Sequence, residues 1–275
     1  MALRRFTKYV RHSNVMWYRA PDRGYRQLDV YYPRSLDIAH KPPILVFFYG
    51  GGFTCGARSS PDMLVYNNLG AFFASKSILT VIPDYRLVPS VVFPGGSQDI
   101  HDALAWVIQN LLEGDPNHLF ILAHSAGGVH VSSLLLTPSM FSPPLKRAIR
   151  GVILLGVPYD LSNNRKPDSR VAAELYYGDA KAIARNQPLG LLHLADPSYV
   201  ATLPPIWNLR AGSEPRVIST AIRAFTEAFR NKGGVIEEFV LDGHDHLSPV
   251  LALSSGTGEE WGNDVVDWIL SKLAH

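Results

Sequence analysis

The residues of this chain whose types and spacing suit chemistry fall in three short stretches. Ala123-His124-Ser125-Ala126-Gly127-Gly128 sits where a β-rich apolar run gives way to a helical pattern. That is the setting of a nucleophile elbow, G-x-S-x-G, with Ala123 in the first glycine position. Small residues are needed because the strand-to-helix turn is too tight for bulk, and the turn lifts the Ser125 hydroxyl above the strand. The backbone N–H of Ala126, at the helix start, points at developing negative charge. Tyr49-Gly50-Gly51-Gly52-Phe53 follows a second apolar run. Its glycines let backbone N–H groups approach a substrate oxygen closely, as an oxyanion hole in acyl transfer requires. A phosphate loop would want Lys-Ser or Lys-Thr next, and Phe53-Thr54-Cys55 does not supply it. Gly50, Gly51 and Ala126 are the expected oxyanion donors, with Gly52 in reserve. Asp242-Gly243-His244-Asp245-His246-Leu247-Ser248 carries two histidines. A zinc site is not expected there, because no third ligand stands at a recognisable spacing. Cys55, beside the glycines, reads as a small buried residue rather than a nucleophile, since no base motif accompanies it.

These stretches need elements to position them, and the pattern supplies a regular alternation. Short apolar runs over 28–32, 44–49, 78–82, 119–123, 152–157, 206–211 and 235–241 read as buried strands, each bounded by turn residues. Helical patterns occupy 99–112, 129–136, 217–230 and 259–273. The first of them places Ile100, Ala103, Leu104, Val107, Ile108 and Leu111 on one stripe. Strands alternating with helices imply βαβ units and a mostly parallel sheet covered on both faces. The stretch 160–202 breaks the rhythm with polar residues, short helical pieces and breaks at Gly178, Pro188 and Pro197. It reads as a small cap inserted into a single domain that spans 1–275, since long excursions in compact domains are often lids or binding loops.

Composition bounds the answer. The chain has 275 residues, 47% hydrophobic and 18% charged, which is a globular and not a disordered balance. Lys and Arg total 26 against 24 Asp and Glu, a formal charge of +2, so there is no dense basic face for nucleic acid. One cysteine excludes an intrachain disulfide and hence a disulfide-stapled secreted scaffold. Charges interrupt residues 1–15 every few positions, leaving no signal-peptide core, and no run of about 18 apolar residues offers a membrane span. The expectation is a soluble, cytoplasmic protein.

The chain resembles the α/β-hydrolase superfamily, and within it the hormone-sensitive-lipase-like esterases and the kynurenine formamidase-like hydrolases. The resemblance covers roughly residues 25–273. It rests on Tyr49-Gly50-Gly51-Gly52-Phe53, on Pro83-Asp84-Tyr85-Arg86-Leu87 with Phe93-Pro94 downstream, on the elbow, and on their order. Tyr49 stands where these proteins carry a histidine, and Ala123 where they carry glycine. The resemblance implies a brace near the site for Asp84-Tyr85-Arg86-Leu87. It also implies a serine nucleophile followed along the chain by an acid and then a histidine. Gly212-Ser213-Glu214-Pro215 is then the acid loop, with Glu214 in the usual aspartate position and Asp160 as reserve. Glu214 also suits a helix N-terminus, where a carboxylate favours the dipole. The catalytic histidine of such proteins precedes an apolar residue, which favours His246 over His244. Ser125, Glu214 and His246 are thus the expected triad.

The implied reaction is hydrolysis of a carboxylic ester through an acyl-enzyme, as in a deacetylase or carboxylesterase acting on a small metabolite. Hydrolysis of an aryl formamide is the alternative from the same resemblance. A noncatalytic ligand-binding module is the alternative of another class, and the retained serine, acid and histidine weigh against it. No metal or organic cofactor is called for. Tyr49, Phe53, His124, Tyr159 and His244 are candidates for the substrate pocket, and aromatic residues near strand ends suggest a bulky or aromatic ester. Hydrolases of this kind often form homodimers through an edge strand or terminal helix.

Overall fold

The computed structural model describes residues 10–19, 25–35, 41–59, 65–163 and 166–273. Among the described residues eight strands form one sheet: β1 (Val10–Arg19), β2 (Tyr25–Pro33), β3 (Pro43–Phe48), β4 (Leu79–Pro83), β5 (Asp115–His124), β6 (Ile149–Leu155), β7 (Ile206–Ala211) and β8 (Ile236–Leu241). Their spatial order is β1-β2-β4-β3-β5-β6-β7-β8. The six strands from β4 across to β8 are parallel to their neighbours, whereas β2 runs antiparallel to both β1 and β4. The parallel core explains the continuous apolar runs. Every residue of β3 and β4 is buried, because helices cover both faces of such a sheet.

The helices are α1 (Asn67–Ser75), α2 (Gly95–Asn110), α3 (Ala126–Leu135), α4 (Pro143–Ala148), α5 (Pro167–Tyr177), α6 (Ala180–Asn186), α7 (Pro188–Leu194), α8 (Pro197–Val200), α9 (Arg216–Asn231), α10 (Ser248–Ala252) and α11 (Glu260–Ser271). The seven expected strands are all present, with ends moved by up to four residues. Strand β1 was not expected, since its segment reads as a charged start. It is an edge strand whose pairing is made by backbone, and edges tolerate charged residues that a buried strand would not. The stretch between β6 and β7 holds the four short helices α5 to α8. No helix among the described residues is long and apolar enough to cross a membrane.

A buried ion pair locks the sheet to α2. Asp99, 1% exposed, accepts from Arg86 through Nη2 at 2.7 Å and from the Arg86 backbone at 2.9 Å, and from Arg26 at 3.1 Å. Bidentate pairing of this kind fixes geometry as well as neutralising charge. The Asp84–Leu87 segment therefore has the bracing contacts expected of it.

Candidate active site

The parallel strands end on one side, and the site assembles from the loops that follow them. Beyond β5 the chain turns straight into α3 at Ser125, whose φ of 51° lies in the left-handed region. That conformation is uncommon for a residue with a side chain and marks a locally strained position. The Ser125 N–H is consumed by Leu155 O at 2.9 Å, which ties the elbow to the end of β6. Ala126 is the first residue of α3, where an N–H has no partner within the helix.

Beyond β7 the acid loop turns Glu214 inward, and beyond β8 the loop through His246 meets it. Glu214 Oε1 accepts from His246 Nδ1 at 2.5 Å, and its side chain is 1% exposed. Because a carboxylate only accepts, Nδ1 carries the proton and Nε2 presents a lone pair. Ser125 Oγ lies 3.0 Å from that Nε2. Glu214 Oε2 is also 3.4 Å from the Ala211 N–H. Serine, imidazole and carboxylate thus form one hydrogen-bonded chain, in the order along the sequence that the resemblance implies.

The glycine turn beyond β3 packs directly on this chain. A Cβ built on Gly50 would stand 2.9 Å from Ser125 Cβ and 3.0 Å from His124 Nδ1, so only glycine fits. Gly51 O accepts the N–H groups of Thr54 and Cys55, which closes the turn. Phe53, with φ of 70°, stacks on Tyr176 at 5.1 Å.

His124 sits behind the serine. Its Nε2 donates to the His246 carbonyl at 2.8 Å, and its ring centroid is 4.9 Å from that of His246. Burial, with the neighbouring His246 adding to it, pushes His124 down to about 3, so it stays neutral. It supports the loop that carries His246.

A cavity of about 760 Å³ opens over Ser125 and His246. Gly50, Gly51, Gly52 and Ala126 line it, as do the pocket candidates Phe53 and His124. Three pocket candidates do not. Tyr49 is 1% exposed and donates its hydroxyl to Asp84 at 3.0 Å, while its carbonyl accepts from Tyr85 at 2.7 Å. It is a brace beneath the glycine turn. Tyr159 is fully buried, stacked on Phe225 at 3.9 Å and bonded to Asn208 at 2.7 Å. His244 bonds Ser248 Oγ through Nδ1 at 3.0 Å and holds its own loop. The reserve acid Asp160 lines the cavity, yet its carboxylate accepts from Ser162, Asn163 and Gln187 and has no bond to His246. Cys55 is exposed rather than buried; its thiol donates to Gly51 O at 3.2 Å, and it lines the cavity. Among the described residues no group of three His, Cys, Asp or Glu is placed to hold a metal.

The wall also contains residues that sequence reading did not reach. Val65 and Tyr66 precede α1, Lys166 and Ser169 come from the start of α5, and Val217 and Ile218 from the first turn of α9. They stand far apart in the chain and carry no motif. Val217 and Ile218 fall within the helical pattern expected over 217–230, which by itself assigns them no place at the site.

Comparison with known proteins agrees with this architecture. The BD-FAE family matches residues 28–141. A medium-chain fatty acyl-CoA hydrolase precursor of Anas platyrhynchos is 35% identical over 122 residues, which is 40% of this chain and 21% of that protein. Carboxylesterase NlhH of Mycobacterium tuberculosis is 32% identical over 120 residues, 42% of this chain and 35% of the relative. The chain therefore spans only about a fifth to a third of the length of the curated relatives it matches. Carboxyl esterase 2 of the fungus Tuber melanosporum superposes with a TM-score of 0.74 at 20% identity, covering 97% of this chain and 89% of that one. Brefeldin A esterase, a bacterial homologue of human hormone sensitive lipase, gives 0.74 at 18% identity over 96% of this chain and 77% of its own. The chain has the α/β-hydrolase fold.

Proposed function

We propose that the protein is a serine hydrolase of carboxylic esters, with Ser125, His246 and Glu214 as its triad. The single observation that carries this reading is the chain of hydrogen bonds from Ser125 Oγ through His246 to Glu214, open to one cavity. Similarity to carboxylesterases and esterases supports the same class. Ser125 Oγ attacks the acyl carbon as His246 Nε2 takes its proton, and the carbonyl π pair moves onto oxygen. The oxyanion is held by the Gly50–Gly51 turn and the Ala126 amide. When it collapses, the bond to the leaving oxygen breaks and Nε2 protonates that oxygen. Water repeats the sequence on the acyl-enzyme and releases the acid. Glu214 keeps Nδ1 protonated and stabilises the imidazolium.

The wall formed by Phe53, Val65, Tyr66, Leu161, Ile218 and Leu247 suits an aryl or short alkyl ester, such as the acetyl ester of a small metabolite. The segment between β6 and β7 acts as a partial cap, contributing Asp160, Leu161, Lys166 and Ser169 to the wall. The test is turnover of p-nitrophenyl acetate beside N-formylkynurenine by wild type and Ser125→Ala. Ester cleavage that falls by about 10⁴-fold or more in the variant is expected. Formamide cleavage well above ester cleavage would replace the ester reading with the formamidase one. Equal turnover by the variant would contradict both.

A further inference from the structure

We infer that Arg58 is a positioning residue for the oxyanion turn, pinning the end of the glycine segment to the same carboxylate that holds its start. The inference rests on the serine-hydrolase reading above. Arg58 belongs to none of the motifs. Its neighbours Gly56, Ala57 and Ser59 line the cavity, while its own side chain turns away to two carboxylates.

Those carboxylates come from the sheet. Arg58 Nε donates to Asp29 Oδ1 at 2.9 Å, and Nη1 donates to Asp84 Oδ2 at 2.5 Å. Asp29 lies on β2 and is 3% exposed; Asp84 directly follows β4, the strand paired with β2. The planar guanidinium fork suits two carboxylates held at fixed positions. The Arg58 backbone N–H adds a third bond, to Asp84 Oδ1 at 2.7 Å. The Tyr49 hydroxyl donates to that same oxygen at 3.0 Å. One carboxylate oxygen thus ties residue 49, just before the glycines, to residue 58, just after them.

The segment between these anchors is folded tightly enough to pass on a displacement. A Cβ built on Gly56 would stand 2.6 Å from Gly50 O and 2.8 Å from the Tyr49 ring, so the end of the segment lies on its start. Gly50 in turn lies against Ser125, 2.9 Å separating its notional Cβ from Ser125 Cβ. A shift at Arg58 is therefore carried through Gly56 to the Gly50–Gly51 donors. A misplacement of about 1 Å can cost about 10²-fold in rate. Tyr85 and Val88 still hold the segment, through Tyr49 O at 2.7 Å and Phe53 O at 3.0 Å. Loss of Arg58 alone should accordingly cost less, about tenfold.

The experiment compares wild type, Arg58→Met, Asp84→Asn and the variant carrying both. Each is measured on p-nitrophenyl acetate and on an aryl trifluoromethyl ketone whose hemiketal with Ser125 carries the same oxyanion. Arg58→Met should lower kcat about tenfold and leave KM within about threefold, since the donors it misplaces act in the transition state. Affinity for the ketone should fall by the same factor as kcat. Because Arg58 acts through Asp84, the double variant should lose no more than the worse single one. Arg58→Met leaves Asp29 buried without this cation, so Asp29→Asn/Arg58→Met is made beside it. Removing both charges together keeps the interior balanced, and this variant should fold and show the same tenfold loss. A folded variant lacking Arg58, with kcat and ketone affinity close to wild type, would overturn the inference while leaving Ser125-dependent turnover intact. Losses that multiply in the Arg58→Met/Asp84→Asn variant would also overturn it, as would a raised KM with kcat unchanged, which assigns Arg58 to the shape of the cavity wall alone. A wild type that shows no Ser125-dependent turnover and no ketone binding would overturn the serine-hydrolase reading and this inference together.

Discussion

The two loops that meet at Ser125 are held in opposite ways. The Tyr49–Phe53 turn is clamped from outside. Tyr85 holds the Tyr49 carbonyl, Asp84 holds the Tyr49 hydroxyl and the Arg58 N–H, and Tyr176 stacks on Phe53. The Asp242–Ser248 loop is held mostly from within, with His124 Nε2 and the Ser213 N–H bonding its carbonyls from outside. Asp245 Oδ1 accepts from the N–H groups of Leu247 and Ser248, and Ser248 Oγ accepts from Asp245 N and bonds His244. Those backbone N–H groups of Ser248 and Leu247 keep the Asp245 carboxyl below the usual carboxylate range. Glycines have no side chains with which to fix themselves, so a glycine-built turn must borrow its rigidity. A loop rich in Asp, Ser and His carries its own.

The difference can be broken by substitution. The largest effect is expected within the Asp242–Ser248 loop, between its two histidines. His246→Ala should lower kcat by about 10⁴–10⁶-fold, and Glu214→Gln by about 10³–10⁴-fold through the lost orientation of the ring. His244→Ala should stay within about threefold, since its side chain bonds Ser248 and not the Ser125–His246–Glu214 chain. Equal losses at the two histidines, read from steady-state kinetics on one ester, would contradict the assignment.

Next in size is the clamp. Asp84→Ala leaves the Tyr49 hydroxyl and the Arg58 side chain without their shared acceptor. It should cost about 1–3 kcal/mol of stability in urea unfolding and at least a tenfold loss of kcat. Asp245→Ala, in the Asp242–Ser248 loop, removes exposed local bonds and should leave the urea midpoint close to that of wild type. The reverse order would show that the glycine turn does not depend on its neighbours.

Apart from both loops, the buried histidines make stability depend on pH. Burial pushes His124 down to about 3 and His130 down to about 4. Both are neutral when folded but take protons when unfolded below about 6.5. Their contribution is thus present above about 6.5 and is lost as pH falls from there toward 4. The urea midpoint should drop across that window, and His130→Gln should flatten the slope. An unchanged slope would contradict a buried neutral His130.

The contrast also explains what the sequence made legible. Ser125 and the glycines are compact motifs whose chemistry depends on adjacent residues, so spacing exposed them, while the family resemblance pointed to Glu214 and chose His246 over His244. The clamp depends on residues brought together by the sheet. Tyr49 was assigned to the pocket because its position beside the glycines gives no sign that its ring turns back toward Asp84 and Tyr85. Helix α1 escaped notice partly because Gly70 breaks its pattern. The glycine is there because Tyr31 packs against it, and a Cβ would stand 2.4 Å from the ring. With α1 unseen, Tyr66 had no element to place it on the cavity wall.

The measurement closest to the central claim is mass spectrometry of the protein quenched early in its reaction with p-nitrophenyl acetate. The expected result is one acetyl group on Ser125, formed in a burst with p-nitrophenol. It should accumulate further in His246→Gln that has been acetylated by a more reactive anhydride, because that variant cannot activate water. Turnover with the acetyl group on another residue, or with p-nitrophenol released and no covalent adduct in any variant, would contradict the assignment of Ser125 as the nucleophile.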